Sequence, residues 1–358
     1  MQISVKRTTT LKEKPPQDML GFGKYFTDHM FIMDYTEGMG WHDPCIVPYG
    51  PLTMDPASMV FHYGQAVFEG MKCYRADDGR LLLFRPEMNF KRLNRSDERL
   101  CIPELDVEFA ILALMTLIDI DRDWVPTAEG TSLYIRPFTA ATEVHIGVHP
   151  SLRYKFIIIL SPVGAYYPEG LNPVRIYIED EYVRAVRGGI GFTKATANYA
   201  SSLKGQEKAN KLGYTQVLWL DAIERKYIEE VGTMNVFFLI DGKLITPSLD
   251  SGSILPGVTR DSVIHLAKSW GIAVEERKLS IDEVYDAHKG GRLQEAFGSG
   301  TAAVISPIGL LNRGGNCITV SDGKTGPLAA KLYDYLTGIQ FGRVPDTFNW
   351  MREVRLGS

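Results

Sequence analysis

A chain of 358 residues is beyond the size at which one hydrophobic core usually keeps growing, so length alone predicts about two domains. With 45% hydrophobic and 23% charged residues the composition is that of a globular protein and points to neither disorder nor life inside a membrane. A net charge of -4 without a concentrated Lys/Arg run speaks against nucleic acid or an acidic membrane surface as the main partner, and for a small ligand.

The amino-terminal stretch places Lys6, Arg7, Lys12 and Lys14 before Pro15-Pro16. It lacks the apolar core of a secretory signal, and no apolar run elsewhere is long enough to span a bilayer, so a cytoplasmic protein is expected. Strand-like residues run from Tyr25 to Met33. A hairpin follows over Met71 to Phe84, where Asp78-Gly79 is a strong turn signal. After Pro86 the run to Leu100, and then Val107 to Ile120, show helical spacing. A strand over Tyr154 to Leu160 closes the first unit, and the Pro- and Gly-rich run Ser161 to Pro173 reads as a loop and interdomain connection. The expected domains are residues 1–165 and 174–358, with residues 166–173 between them.

The second half opens with a strand over Val174 to Ile178. A helix from about Ala197 to Leu212 can stop at Gly213 in a left-handed cap. Strands are expected at Val217 to Leu220 and at Val236 to Ile240, the latter turning at Asp241-Gly242 into Lys243 to Thr246. Leu255-Pro-Gly-Val-Thr-Arg260 reads as an anion-binding turn leading into a helix from about Asp261 to Trp270, where free N–H groups and the helix dipole favour negative charge. Ser280-Ile-Asp-Glu283 is a capping box. Glu295 to Ile305 reads as strand, glycine turn, strand. The cysteines Cys45, Cys73, Cys101 and Cys317 form neither a Cys-x-x-Cys pair nor a zinc-ligand cluster, and are expected to be buried reduced thiols; no metal site is expected.

One constellation carries chemistry. Gly191 to Ser202 sets Lys194 and Tyr199 five apart among small residues, and Glu229-Glu-Val-Gly-Thr-Met-Asn235 answers it later. This is what pyridoxal phosphate requires: an amine for a Schiff base, small neighbours that admit the ring, and an acid that keeps the pyridine nitrogen protonated. A lysine by itself is a surface charge, and Pro-Gly before a helix is a plain turn. The combination makes the case.

Over nearly its whole length the chain resembles the branched-chain-amino-acid aminotransferases, which are fold-type IV pyridoxal-phosphate enzymes. The matching blocks are Gly21 to Met30, His62 to Gly70, Phe84-Arg-Pro with Asn89 and Arg92, Tyr134-Ile-Arg-Pro137, Pro162 to Tyr166, Lys194 to Ser202, Glu230 to Asn235, Leu255 to Arg260 and Gly298 to Ala302. The resemblance implies a two-domain α/β (α+β) fold. Its amino-terminal domain would be the smaller, its carboxy-terminal domain larger with a barrel-like β core, and the cofactor would lie at the domain interface. A homodimer is also implied, with partner loops closing each pocket.

By the same resemblance Lys194 is the Schiff-base lysine and the carrier of the proton between substrate Cα and cofactor. Tyr199 steadies the phenolate oxygen, and Glu230 holds the pyridine nitrogen, leaving Glu229 a solvated strand-end charge. The phosphate falls to Arg92, the Val258 and Thr259 N–H groups and the Thr301 hydroxyl, and Thr233 also borders the cofactor. Phe26, Tyr63, Phe68, Tyr134, Arg136, Val148 and Tyr166 would line the substrate pocket, with Thr301 and Ala302 at the α-carboxylate. Aliphatic branches can rest on aromatic faces, while the second carboxylate of glutamate needs the Arg136 guanidinium. The implied reaction is reversible ping-pong transfer of the amino group between leucine, isoleucine or valine and 2-oxoglutarate.

Alternatives are a D-amino-acid aminotransferase, an aminodeoxychorismate lyase, or a catalytically silent protein of the same fold. The blocks at Tyr134 and Glu230 favour the branched-chain activity, and the intact Lys194, Tyr199, Glu230 and Arg92 set disfavours a silent protein. Ala303-Val-Ile-Ser306 stands where some animal members carry Cys-x-x-Cys, so thiol regulation there is not expected. In this the chain resembles bacterial members.

Overall fold

A computed structural model describes residues 1–164 and 171–355, which form two compact units. One holds residues 1–164 with Thr193–Thr196 and residues 338–355. The other holds residues 171–192 and Ala197–Thr337. Among the described residues no helix is long and apolar enough to cross a membrane.

The first unit is built on a nine-stranded sheet. Its strands run in the order Ser4–Val5, Gly40–Pro48, His29–Thr36, Arg153–Val163, Ser132–Ala141, Met71–Arg75, Leu81–Phe84 and Met351–Glu353, with Ala66–Phe68 added on Ser132–Ala141. Every pair but the first is antiparallel, as short hairpin connections allow. Gly79, at φ +87, turns the expected hairpin so that Cys73 faces Leu83. Helices Pro86–Arg99 and Val107–Ile120 cover the sheet. The second starts where Asp106 accepts the Phe109 N–H at 2.9 Å, and buries Ala110, Ile111, Leu114, Leu117 and Ile118 against Phe31, Leu93 and Phe156.

Three boundaries of the first unit differ from the sequence reading. The strand expected from Tyr25 begins at His29, because residues before it are held singly, as when the Thr27 N–H meets the Leu160 carbonyl. Ser161–Val163 continues a strand, pairing with Tyr134 back to Ser132, where a loop was expected. Sequence placed everything after residue 174 in the second domain, whereas Met351–Glu353 pairs with Leu82–Phe84 of the first sheet.

The second unit carries another nine-stranded sheet, in the order Ile228–Val231, Gln216–Leu220, Val174–Ile178, Val304–Arg313, Leu293–Gly300, Asn235–Ile240, Lys243–Thr246 and Val274–Glu276, with Asn316–Thr319 on Val304–Arg313. An isolated bridge between Val231 and Met234 returns the first of these strands to the sixth, giving the curled, barrel-like course. Gly232 makes that return possible with φ +57, and its carbonyl accepts the Trp219 indole N–H at 3.0 Å. Helix Thr196–Lys211 packs on the same tryptophan through Gly205, where a Cβ would stand 2.7 Å from the indole. Gly213, at φ +81, follows that helix as expected. Helix Ile281–Lys289 starts at the Ser280 cap, with the Glu283 N–H donating to Ser280 Oγ at 3.1 Å.

Candidate active site

In the first unit Lys194 is held through its backbone. Its carbonyl accepts the Phe68 N–H at 3.1 Å, Ala195 bridges Val67, and its own N–H donates to Ser96 Oγ at 3.0 Å. These bonds fix the backbone while the side chain stays half-buried, with Nζ 4.7 Å from the Phe68 ring centre.

Beside Phe68 the chain buries a charge. Glu69 is fully enclosed, and its carboxylate meets Arg92 twice, Oε1 to Nε at 2.7 Å and Oε2 to Nη2 at 2.9 Å. Asn89 Nδ2 at 2.8 Å and the Gly70 N–H at 3.0 Å also donate to Oε2. Burial pushes the Glu69 carboxyl upward, but the Arg92 charge and hydrogen bonds, the Lys194 charge and Asn89 outweigh it, and the net direction is down. Arg92, the expected phosphate ligand, thus has two of its guanidinium nitrogens on Glu69.

Tyr134 and Arg136 alternate on strand Ser132–Ala141 and so share a face. Arg136 Nη2 donates to the Tyr134 hydroxyl at 3.1 Å, and the guanidinium lies 4.6 Å from the Phe68 ring centre. Its Nε is buried with no partner among the described residues, a donor with no described acceptor. A Cβ at Gly70 would collide with the Tyr134 hydroxyl, which accounts for that glycine. Lys194, Phe68, Tyr134 and Arg136 therefore form one cluster. The contacts do not extend it to the other expected pocket residues. Phe26 stacks on Tyr49 with centroids 5.0 Å apart, Tyr63 donates to the Ile146 carbonyl at 2.5 Å, and Val148 is 84% exposed. Tyr166 lies outside the described residues.

In the second unit Glu230 is buried on strand Ile228–Val231. Its Oε2 lies 3.0 Å from Arg184 Nε, and its Oε1 accepts the Leu255 N–H at 2.6 Å. Glu229, expected to be solvated, is buried too: Ser253 Oγ donates to Oε1, while Oε2 has no partner among the described residues. Burial first, and then the neighbouring Glu230 charge, raise the tendency of Glu229 to hold a proton.

From Leu255 the chain runs directly into the start of a helix. Helix Val258–Ser269 starts at Gly257 with no side-chain cap, three residues ahead of the expected start. No acceptor among the described residues takes the Val258 or Thr259 N–H. Asn235 Nδ2 donates to the Leu255 carbonyl at 2.9 Å, and a Cβ on Gly257 would strike Asn235, so this segment is held tightly. Thr301 and Ala302 stand half-buried in the turn between Leu293–Gly300 and Val304–Arg313. Val304, just after them, is at φ +63, an unusual conformation for a β-branched residue. Tyr199 is half-buried on helix Thr196–Lys211, and Thr233 is exposed in the Gly232 turn.

Glu69, Asn89, Ser96 and Arg184 were given no site role from sequence. Glu69 left a signal, a charge inside the otherwise apolar Ala66-Val-Phe-Glu-Gly70, since a buried charge requires a partner. Arg184 left none among the charges from Asp180 to Arg187. Two expectations are corrected, that of a solvated Glu229 and that of four buried thiols. Only Cys73 is buried, Cys45 is partly so, and Cys101 and Cys317 are exposed, all unpaired. Among the described residues no group of His, Cys, Asp or Glu is placed to hold a metal ion.

The donor sets suit pyridoxal phosphate. The unaccepted N–H groups at Val258 and Thr259 match a phosphate, Glu230 beside a guanidinium matches a pyridine nitrogen, and the anchored Lys194 amine matches an aldehyde.

Comparison with known proteins agrees. Residues 66–311 match the Amino-transferase class IV family. The chain is 61% identical over 353 residues to branched-chain-amino-acid transaminase 1 of Bacillus subtilis (strain 168), covering 98% of this chain and 99% of that protein. The fold matches the crystal structure of the Escherichia coli branched-chain amino acid aminotransferase with a TM-score of 0.76 and 31% identity, over 91% of this chain and 99% of that one. It also matches the branched-chain amino acid aminotransferase from Thermobaculum terrenum in its PLP-form, with a TM-score of 0.72 and 26% identity, over 91% of this chain and 98% of that one.

Proposed function

The chain belongs to the class IV amino-transferases, and from that premise we propose that it exchanges an amino group between leucine, isoleucine or valine and 2-oxoglutarate in a reversible ping-pong cycle. It is a pyridoxal-phosphate-dependent branched-chain-amino-acid aminotransferase. Among the geometric observations one carries most weight: the segment from Leu255 to Thr259 joins the Glu230 carboxylate, through the Leu255 N–H at 2.6 Å, to the uncapped helix start at Val258.

Pyridoxal phosphate, when bound, supplies a ring that accepts the electron pair left on the substrate Cα. The Lys194 amine would hold the cofactor through its aldehyde carbon and, once freed by substrate, would carry the proton between the substrate Cα and that carbon, first as base and then as acid. Glu230 would keep the ring nitrogen charged, and Tyr199 would donate to the phenolate oxygen. The Val258 and Thr259 N–H groups, Arg92 and the Thr301 hydroxyl bind the phosphate, and Thr233 borders the ring. On the substrate, the turn at Thr301 and Ala302 meets the α-carboxylate and Arg136 reads the second carboxylate of glutamate. Phe68 and Tyr134, beside Arg136, would wall the pocket, with Phe26, Tyr63 and Val148 joining them in the loaded enzyme.

The active form is a homodimer in the cytoplasm. Support for the dimer is a patch on the first unit where Phe61 (61% exposed), Ile146 (78%) and Val148 (84%) stand in water. The segments carrying them are tied by a bridge between Ser58 and Val144 and by the Tyr63 hydroxyl on the Ile146 carbonyl. Sedimentation equilibrium tests it, and a monomer at micromolar concentration would reject it.

The activity is tested by incubating the purified protein with leucine, isoleucine, valine, alanine and D-alanine, each with 2-oxoglutarate, and measuring glutamate. Turnover confined to the branched amino acids is expected, and Lys194→Ala should abolish it without unfolding the protein. Preference for D-alanine, or turnover by the Lys194 variant free of host enzyme, would refute the reading.

A further inference from the structure

Strand Ile228–Val231 buries two consecutive carboxylates, Glu229 and Glu230, a costly arrangement unless something decides which one carries the charge. Arg184 is placed to decide it. Its side chain is as buried as that of Glu230, at 5% against 3% exposed, and Nε lies 3.0 Å from Glu230 Oε2. The rest of the guanidinium is committed elsewhere: Nη1 donates to the Ser253 carbonyl at 2.9 Å, and Nη2 to the Gly191 carbonyl at 3.2 Å. A planar fork held on three sides has one orientation, and a lysine could not reproduce it. Gly191 is itself required, because a Cβ there would collide with the Ser253 carbonyl and Ala185.

Glu229 has no such neighbour. It takes only the Ser253 hydroxyl, and its second oxygen has no partner among the described residues. Burial favours its neutral form and prevails over the opposing Ser253 hydrogen bond, with the adjacent Glu230 charge adding to burial and Arg184 opposing more weakly. Ser253 thus serves both sides, with its carbonyl on Arg184 and its hydroxyl on Glu229.

We propose that Arg184 is a positioning residue for transamination, holding Glu230 as the charged and aimed member of the Glu229–Glu230 pair. This rests on the reading of Glu230 as the acid at the ring nitrogen. A proton moving onto Glu230 would leave that nitrogen without a counter-charge, and the ring would accept electrons less well. Arg184 prevents the exchange without touching the cofactor.

The test uses holoenzyme reconstituted with cofactor labelled with nitrogen-15 in the ring, whose chemical shift separates protonated from neutral pyridine. Cofactor affinity of the apoprotein and single-turnover rates with leucine are measured alongside. In Arg184→Met the shift should move toward the neutral value, with cofactor affinity down about tenfold or more. The maximal rate with leucine should fall by a similar factor while half-saturation changes little. Arg184→Lys, which keeps charge without the fork, should retain the protonated shift but lose several-fold in rate.

If Glu230→Gln moves the shift and Arg184→Met does not, Arg184 has no such role and the inference alone fails. If Glu230→Gln leaves the shift unmoved, the reading of Glu230 fails and the inference with it. Should the methionine variant not fold, a lysine variant equal to the parent in affinity and rate would still overturn the proposal.

Discussion

Arg92 and Glu69 form a two-bond ion pair, at 2.7 and 2.9 Å, inside the first unit, with the carboxylate fully enclosed and Asn89 on one of its oxygens. The guanidinium is therefore oriented before any ligand arrives, and a phosphate meeting it would not have to order the side chain.

Breaking that pair should be expensive. Glu69→Gln leaves a buried guanidinium without its counter-charge, and a loss of about 3–5 kcal/mol in unfolding free energy is expected. The pH dependence has a definite sign. The folded Glu69 carboxyl lies below its unfolded value, so its contribution is present above that unfolded value and is lost as pH falls through the folded one. Thermal melts of parent and variant should converge as the solution is acidified, and a gap that widened toward low pH would contradict the assignment.

Asp97 behaves in the opposite way. It is fully buried on helix Pro86–Arg99, and neither carboxyl oxygen has a partner among the described residues. Burial, helped by the charge of Glu104, raises it well above the usual carboxylate range. Above the unfolded value of about 3.9 the native state retains a proton that the unfolded chain has released, so stability falls as pH rises toward the folded value. Asp97→Asn cannot ionise. Its melting temperature should gain on the parent as pH rises above about 4, and a difference independent of pH would show that Asp97 does not titrate in this way.

Glu229 and Glu230 should separate cleanly in kinetics. Glu230→Gln is expected to slow the single turnover with leucine far more than Glu229→Gln, because only the former removes the carboxylate paired with Arg184 at 3.0 Å. Equal losses, or a larger loss from Glu229→Gln, would mean that the wrong acid has been chosen.

Arg136 should matter for the partner with two carboxylates. Arg136→Met keeps much of the length and apolar volume against Phe68 while removing the donors, so glutamate should lose a contact of about 1.5–3 kcal/mol. That is a fall of roughly one to two powers of ten in the second-order rate constant, with leucine almost unchanged. Following both half-reactions by loss of the visible cofactor band suffices. A matching drop for leucine would mean that Arg136 supports the pocket instead.

What the sequence determined by itself was local. Asp78-Gly79 set a hairpin, Ser280 set a helix start, Gly213 set a helix end, and the run from Lys194 to Tyr199 with the later Glu230 pointed to the proposed chemistry. These signals lie within a few residues of what they specify, through backbone angles, caps and periodicity. Tertiary structure decided the partners. Glu69 finds Arg92 across 23 positions and Leu255 finds Glu230 across 25. Met351–Glu353 returns to the first sheet, and two of the four cysteines remain exposed. Glu229 and Glu230 are the same residue type side by side, and only the tertiary surroundings separate them: Arg184 lies on Glu230 at 3.0 Å, while burial pushes Glu229 toward its neutral form against the Ser253 hydrogen bond. Charge in a buried site depends on what surrounds it in space, and spacing along the chain carries no record of that.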